Sequence, residues 1–349
     1  MLQVLFHAWE RRLASVTKDR VVRPFDWGLD WIPPNGIPRS GSAPEVLSEW
    51  VSHVMADTDA FFTPPPTTAF QLTDSADGAP VLSFPSALET PHRENNTAYA
   101  RLFPAAVRDA AARIAGPRAA VLVLPQWNSD AEGHVGLCRL LARSGMTALR
   151  LSLPYHDRRM PSELTRADYI VSSNVARTLQ VCRQAVLDAR RAIAWLASEG
   201  FDRIGILGSS LGSCLSLLTT AHEPLIQAQA LNHISPYFAD VVWRGLSTEH
   251  VRKGLNGHID LDLLRSLWRP ISPAWYLERL RQRKTLLVYA KYDLTFPVDL
   301  SRELVRQFRE QNIPHELAVL NCGHYSTGKT PFKFVDGWVL TRFLKRALS

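Results

Sequence analysis

The stretch Arg203-Ile-Gly-Ile-Leu-Gly-Ser-Ser-Leu-Gly-Ser-Cys-Leu215 decides how the rest of the chain is read. Residues 204–207 form a short, β-branched, apolar run, the mark of a buried strand. Gly208-Ser209-Ser210-Leu211-Gly212 follows, and Leu211, Leu215, Leu217 and Leu218 then make a helix-compatible apolar segment. This is the Gly-x-Ser-x-Gly pattern in its required context, with a strand before it and a helix after it. The glycines have a steric reason. A serine forced onto a sharp strand-to-helix turn has a strained backbone, and side chains at 208 and 212 would collide with neighbouring chain. The turn lifts the Ser210 hydroxyl above the sheet, beside the positive end of the new helix.

Outward from this turn, strands and helices alternate. Towards the N-terminus, residues 119–124 read as a buried strand, 130–144 as a helix ending at Gly145, and 147–153 as a strand. A long amphipathic helix follows over 173–198. Its Leu179, Cys182, Val186, Ala189, Ile193 and Leu196 are spaced three or four apart, and Gly200 lies just past its end. Towards the C-terminus come a strand at 227–233, an aromatic-rich break at 236–282, a strand at 285–290, a helix at 299–311 and a strand at 315–320. A last helix starts at Pro331, with Phe334, Val335, Trp338 and Leu344 on its expected apolar side. Residues 70–72 and 81–84, joined by Asp74-Ser-Ala-Asp-Gly, read as two strands and a turn, and 97–102 as another strand. The expectation is an α/β fold: a mostly parallel central sheet with helices on both faces and antiparallel strands at the N-terminal edge.

Residues 1–66 stand outside this rhythm. Leu2, Leu5, Trp9 and Leu13 suggest an amphipathic helix that packs against the body, with attachment to a membrane surface the less favoured alternative. Residues 23–66 are rich in Pro and Trp, including Pro24, Trp27, Trp31, Pro33, Pro34 and Pro38, and read as an ordered extension with a helix near 44–57. The expected division is an extension over 1–66 packed on the body and a main domain over 67–349.

Composition narrows the class. The chain has 349 residues, 46% of them hydrophobic and 21% charged, as in soluble globular proteins. The net charge of +7 is spread over scattered arginines, with no basic block and no nucleic-acid motif, so no nucleic-acid partner is expected. No apolar run approaches the roughly 20 residues needed to span a bilayer. Glu10, Arg11 and Arg12 interrupt any signal-peptide core, and a cytoplasmic location is expected. Cys138, Cys182, Cys214 and Cys322 are dispersed without metal-ligand spacing and read as buried free thiols. With no Gly-x-Gly-x-x-Gly after a strand and no Walker A sequence, neither cofactor nor metal is expected. The sequence does not fix an oligomeric state.

Ligands of open α/β sheets bind at the carboxyl ends of the strands. The strand at 285–290 runs into Lys291-Tyr-Asp293, and the strand at 315–320 into Asn321-Cys-Gly-His324. A serine hydroxyl is a weak nucleophile until an imidazole takes its proton. The imidazole needs a carboxylate to fix its tautomer and stabilise its charged form. Ser210, Asp293 and His324 supply these groups in the order Ser…Asp…His.

With three motifs at three strand ends, residues 67–349 resemble the α/β-hydrolase superfamily. The resemblance implies a serine hydrolase with Ser210 as nucleophile, His324 as general base and then acid, and Asp293 as its orienting carboxylate. It also implies an oxyanion hole at the Leu211 backbone N–H and the turn after residues 119–124. That turn reads Pro125-Gln126-Trp127-Asn128 where many relatives have His-Gly. Trp127 would supply the second N–H, with Gln126 the neighbouring candidate. Tyr155, His156, His233, Phe238 and Trp243 are candidate pocket residues, although a structural role is preferred for both histidines. The insertion at 236–282 would form an apolar lid, against the simpler reading of helix packing. A faint further resemblance is to the α/β-hydrolase-domain-containing-18-like proteins, with dienelactone-hydrolase-like esterases as wider neighbours. The expected reaction is hydrolysis of a small-molecule carboxylic ester through an acyl-enzyme. The alternatives are a lipid-ester hydrolase docked on a membrane and a non-catalytic binding scaffold.

Overall fold

A computed structural model of the chain describes residues 2–33, 41–106 and 118–349. Pro34 and Pro38 of the Pro-rich stretch lie outside these residues. Helix α1 (Leu2–Ser15) comes first, a 3-10 turn at Leu29–Trp31 follows, and then α2 (Ala43–Ala56) and the short α3 (Thr58–Phe61). Ser42 and Glu45 form a reciprocal cap at the start of α2, which satisfies N–H groups that a helix end leaves open.

Three strands come next: β1 (Gln71–Thr73), β2 (Val81–Pro85) and β3 (Thr97–Phe103). The alternating units are β4 (Ala119–Leu124), α4 (Val135–Arg143), β5 (Thr147–Leu151), α5 (Val175–Ser198), β6 (Arg203–Ser209), α6 (Leu211–His222) and β7 (Ile226–Asn232). The insertion carries α7 (Phe238–Arg244), α8 (Glu249–Leu255), α9 (Leu261–Leu267) and several 3-10 turns. β8 (Lys284–Ala290), α10 (Val298–Glu310), β9 (Glu316–Leu320) and α11 (Phe332–Ala347) complete the chain.

Among the described residues the nine strands form one sheet in the order β1-β2-β3-β5-β4-β6-β7-β8-β9. β1, β2 and β3 pair antiparallel, and so does β3 with β5; the other pairs are parallel. The expected α/β architecture is the observed one. One face of the sheet packs against α5 and α6 through Leu179, Ile193, Leu215 and Leu218, and Leu47 and Trp50 of α2 join the same buried cluster from beside the insertion. The other face packs against α4 and α11 through Val135, Cys138, Leu141, Leu340, Phe343 and Leu344. All six periodic residues of the α5 stripe are buried. The Asn174 side chain caps α5 by accepting the Arg177 N–H at 2.9 Å, and Gly200 takes a positive φ of 78° just beyond its end.

Three expectations are corrected. Helix α4 begins at Val135 and not near 130, because the preceding residues are folded into a turn by side chains. The Asp130 carboxylate accepts the N–H of Gly133 at 2.8 Å, and the buried Arg150 guanidinium of β5 donates to the Gly133 carbonyl at 2.6 Å. On α11, Phe334 (65% exposed), Val335 and Trp338 (56% exposed) face outward, and Leu340, Phe343 and Leu344 form the buried side. On α1 the expected stripe fails in the same way. Leu2 and Leu5 are exposed, and the buried residues are Glu10 and Ala14. Among the described residues no helix is long and apolar enough to cross a membrane.

Candidate active site

Ser210 stands between the end of β6 and the start of α6, with φ 57° and ψ −120°. That conformation is costly for a residue with a side chain and persists only where its surroundings enforce it. The surroundings are close. A Cβ at 208 would overlap the Gly212 carbonyl, and one at 212 would overlap the Leu124 and Pro125 carbonyls. The two glycines therefore let β4, β6 and α6 converge beneath the serine. The Ser210 N–H donates to the Asn232 carbonyl at 2.8 Å, and the Ser213 hydroxyl donates to the Ser210 and His233 carbonyls at 2.6 and 2.8 Å.

Asp293 follows β8 and is buried. Its Oδ1 accepts the N–H groups of Thr295 and Phe296 at 2.8 and 2.7 Å. Its Oδ2 accepts Nδ1–H of His324 at 3.0 Å. Burial alone would favour the neutral acid. The His324 charge and the hydrogen bonds from His233 and His324 outweigh burial and hold the carboxyl far below its ordinary range. An ionised carboxylate only accepts, so Nδ1 of His324 carries a proton and Nε2 is the nitrogen left to exchange one. The Phe296 ring lies parallel to the His324 imidazole, centroids 5.4 Å apart and planes 1° apart, which fixes the ring's plane.

The same Oδ2 accepts a second imidazole. Nδ1 of His233, the residue after β7, lies 2.9 Å from it, and the two imidazole centroids are 4.7 Å apart. Burial lowers the proton affinity of His233. The hydrogen bond and charge of Asp293 overcome this and raise it above the ordinary histidine value. Among the described residues His233, Asp293 and His324 are also a grouping with three donor atoms within 4.8 Å, as a cation site requires. A cation there would have to replace the two Nδ1–H hydrogen bonds that orient the rings.

A cavity opens above Ser210 and continues into the groove between α4 and α11, where Leu137, Leu140 and Trp338 line it, with a combined volume of about 1450 Å³ among the described residues. Gln126, Trp127, Ser210, Leu211, His233, Phe238 and His324 all line it. Leu211 is the first residue of α6, where helix N–H groups have no partner within the helix. The Trp127 indole N–H donates to the Ala167 carbonyl at 2.8 Å, and its ring stacks on His250 with planes 5° apart.

Three of the candidate pocket residues do not reach the cavity. The buried Tyr155 holds its hydroxyl 3.0 Å from His92 Nδ1. His156 accepts the Asn128 N–H on Nε2 at 2.9 Å and so braces the turn that carries Trp127; burial pushes its pKa down to about 4. The Trp243 ring lies under the Arg252 guanidinium on the insertion. Within the insertion, Phe238, Val241, Val242, Ser247 and Thr248 line the cavity, whereas Trp268 and Tyr276 are buried packing residues.

No protein-family model matches the sequence, and no curated protein matches it. Solved structures do. The acylaminoacyl peptidase of Pyrococcus horikoshii superposes with a TM-score of 0.60 at 14% identity, over 80% of this chain and 42% of that one. Acetyl xylan esterase 1 from Thermoanaerobacterium sp. JW/SL YS485 superposes at 0.57 and 12% identity, over 97% of this chain and 98% of the esterase. An acetyl xylan esterase from Paenibacillus sp. R4 gives 0.57 at 14%, over 91% and 97%. The chain has the α/β-hydrolase fold. The chain spans about two fifths of the length of that peptidase and nearly the full length of the two esterases. The finer resemblance to the domain-containing-18-like branch has no counterpart in these likenesses.

In this fold the serine, aspartate and histidine singled out in sequence lie at the carboxyl ends of β6, β8 and β9. The sharing of Asp293 by His233 was not legible in the sequence. His233 does follow a strand, but nothing in the spacing of Asn232-His-Ile-Ser235 says that the next strand's acid will face it.

Proposed function

We propose that the protein is a serine hydrolase that cleaves a carboxylic ester through an acyl-enzyme. Ser210 attacks the ester carbonyl as His324 Nε2 takes its proton. Asp293 holds the imidazole in the required tautomer and stabilises its charged form. The backbone N–H groups of Leu211 and Trp127, with Gln126 the neighbouring candidate, receive the developing oxyanion. His324 then returns the proton to the leaving alkoxide, and water repeats the sequence to release the acid. Thioester and amide substrates would engage the same residues. Phe238, Val241 and Val242 on the cavity wall favour an acyl or aromatic group on the substrate.

One observation carries this reading: a strained Ser210 and an Asp293-held His324 line one cavity. Intact-mass labelling with a fluorophosphonate probe tests it. A single adduct on the wild type and none on Ser210→Ala is expected, and Asp293→Asn should slow turnover by as much as about 10⁴-fold. A folded wild type that takes no adduct would favour the binding-scaffold alternative.

A second reading, a lipid-ester hydrolase docked on a membrane, draws on the exposed Leu2, Val4 and Leu5 of α1. Co-sedimentation with anionic vesicles, compared between the wild type and Leu5→Glu, separates it from an enzyme of free esters. Equal binding by the two proteins removes it.

A further inference from the structure

The residue that α1 buries most completely is its only carboxylate, Glu10, at 0% exposure. Its Oε2 accepts the N–H of Tyr325 at 2.8 Å, and its Oε1 accepts the N–H of Ser326 at 2.9 Å. These are the two residues after His324. A Cβ at Gly323, the residue before His324, would overlap the Glu10 side chain. The carboxylate thus holds the backbone after the histidine by two hydrogen bonds, and the Glu10 side chain lies close against the backbone before it. Taking a carboxylate out of water is costly unless hydrogen bonds replace the lost solvent, and bonds from N–H to a charged acceptor are the strong kind.

The loop is also tied within itself. The Gly323 N–H donates to the Ser326 hydroxyl at 2.8 Å, and the Thr327 hydroxyl donates to the Gly323 carbonyl at 2.7 Å. One helical turn before Glu10, the Phe6 ring stacks on Tyr292, the neighbour of Asp293, with centroids 4.5 Å apart. Beyond α1, Arg20 donates to the Tyr325 hydroxyl at 2.8 Å, and that hydroxyl also meets Ser247 of the insertion at 2.7 Å. One face of α1 therefore bears on both loops that carry the serine's partners.

We propose that Glu10 is a positioning residue, and that α1 is a clamp which fixes the 323–326 backbone so that His324 stays on Asp293. This rests on the reading of His324 as general base. The Glu10 carboxylate has two acceptor oxygens for two N–H donors, whereas a carboxamide offers one oxygen and sets an NH₂ against the other donor. Glu10→Gln should loosen the loop without emptying its space. Glu10→Asp keeps the charge but withdraws it by one methylene.

The test measures kcat and KM with p-nitrophenyl acetate, and the rate of fluorophosphonate labelling. The proteins are the full-length wild type, Glu10→Gln, Glu10→Asp and, as a destabilised control remote from the loop, Val54→Ala in α2. A misplaced catalytic group of the order of 1 Å costs about 10²-fold. The expected result for Glu10→Gln is a fall of roughly 10- to 100-fold in kcat and labelling rate with KM within about twofold. Glu10→Asp should recover part of that loss, and Val54→Ala should lower the melting temperature without lowering kcat. Should Glu10→Gln fail to fold, the kcat of Glu10→Asp decides. A labelled wild type with wild-type kcat in the Glu10 variants, or an equal fall in Val54→Ala, overturns the clamp alone. An unlabelled, folded wild type overturns the serine-hydrolase reading and the positioning role with it.

Discussion

Two imidazoles on one carboxylate oxygen make a coupled set. With centroids 4.7 Å apart, two imidazolium charges would repel by roughly 3–4 kcal/mol at an effective dielectric of 20. The pair therefore resists holding two protons near neutral pH, and its titrations belong to the pair. The raised proton affinity of His233 means that its charge is present below its folded pKa and lost as pH rises through it. While present, that charge opposes a further proton on the pair. Asparagine can replace the Nδ1–H donor without titrating, and it tolerates the φ of 59° at this position. His233→Asn should thus keep most of kcat and move the acid limb of kcat/KM to higher pH by about one unit or more. His233→Ala, which leaves Asp293 short of a donor, should lower kcat roughly tenfold. An acid limb unmoved in His233→Asn would remove the coupling. At this scale the sequence named Ser210, Asp293 and His324 because strand ends and chain order point to them. It could not name the sharing of Asp293, which depends on β7 and β8 being sheet neighbours.

Elements were legible where burial followed period, and misread where a helix buries a carboxylate or only part of its apolar set. Helix α5 has a continuous apolar stripe and a cap at each end, and both its length and its buried face follow from them. Helices α1 and α11 do not behave so. On α1 the line Phe6, Glu10, Ala14 faces the body, so a carboxylate occupies the position that periodicity assigns to an apolar side chain. Local rules fail most often at functional or strained sites. On α11 the contacts to the sheet come from Leu340, Phe343 and Leu344 in its second half. Phe334 and Trp338 thus contribute little to the folded core. Phe334→Ser and Trp338→Ser should each change unfolding free energy by no more than about 0.5 kcal/mol, measured by urea denaturation followed by circular dichroism. A loss of several kcal/mol in either would show that these rings are covered and restore the apolar face first read from the sequence.

At the scale of the whole molecule the N-terminal segment shares the core of the domain that follows it. Its Pro- and Trp-rich composition reads as an extension laid over a finished domain, since nothing in residues 41–62 says what they pack against. In the structure, Val46, Leu47, Trp50, Val51 and Phe62 belong to the same buried cluster as Leu179, Ile193, Leu215, Trp268 and Tyr276. Arg183 and Arg191 of α5 donate to the Phe61 and Pro65 carbonyls at 2.7 and 2.8 Å, so hydrogen bonds join what hydrophobic contact has already brought together. A detachable extension would unfold by itself, whereas one that shares a core must unfold with it. Trp50 is 4% exposed and its ring meets Phe61 at 6.1 Å. Trp50→Ala should therefore cost about 3–5 kcal/mol, the usual loss for a large aromatic side chain removed from a packed core. Urea unfolding of the variant should show one transition, by circular dichroism and by fluorescence alike, with a lowered midpoint and an unchanged slope. Two separated transitions, or a cost below about 1 kcal/mol, would return residues 41–62 to the status of an appendage. The clamp at Glu10 would then be anchored to a segment that can leave without unfolding the sheet.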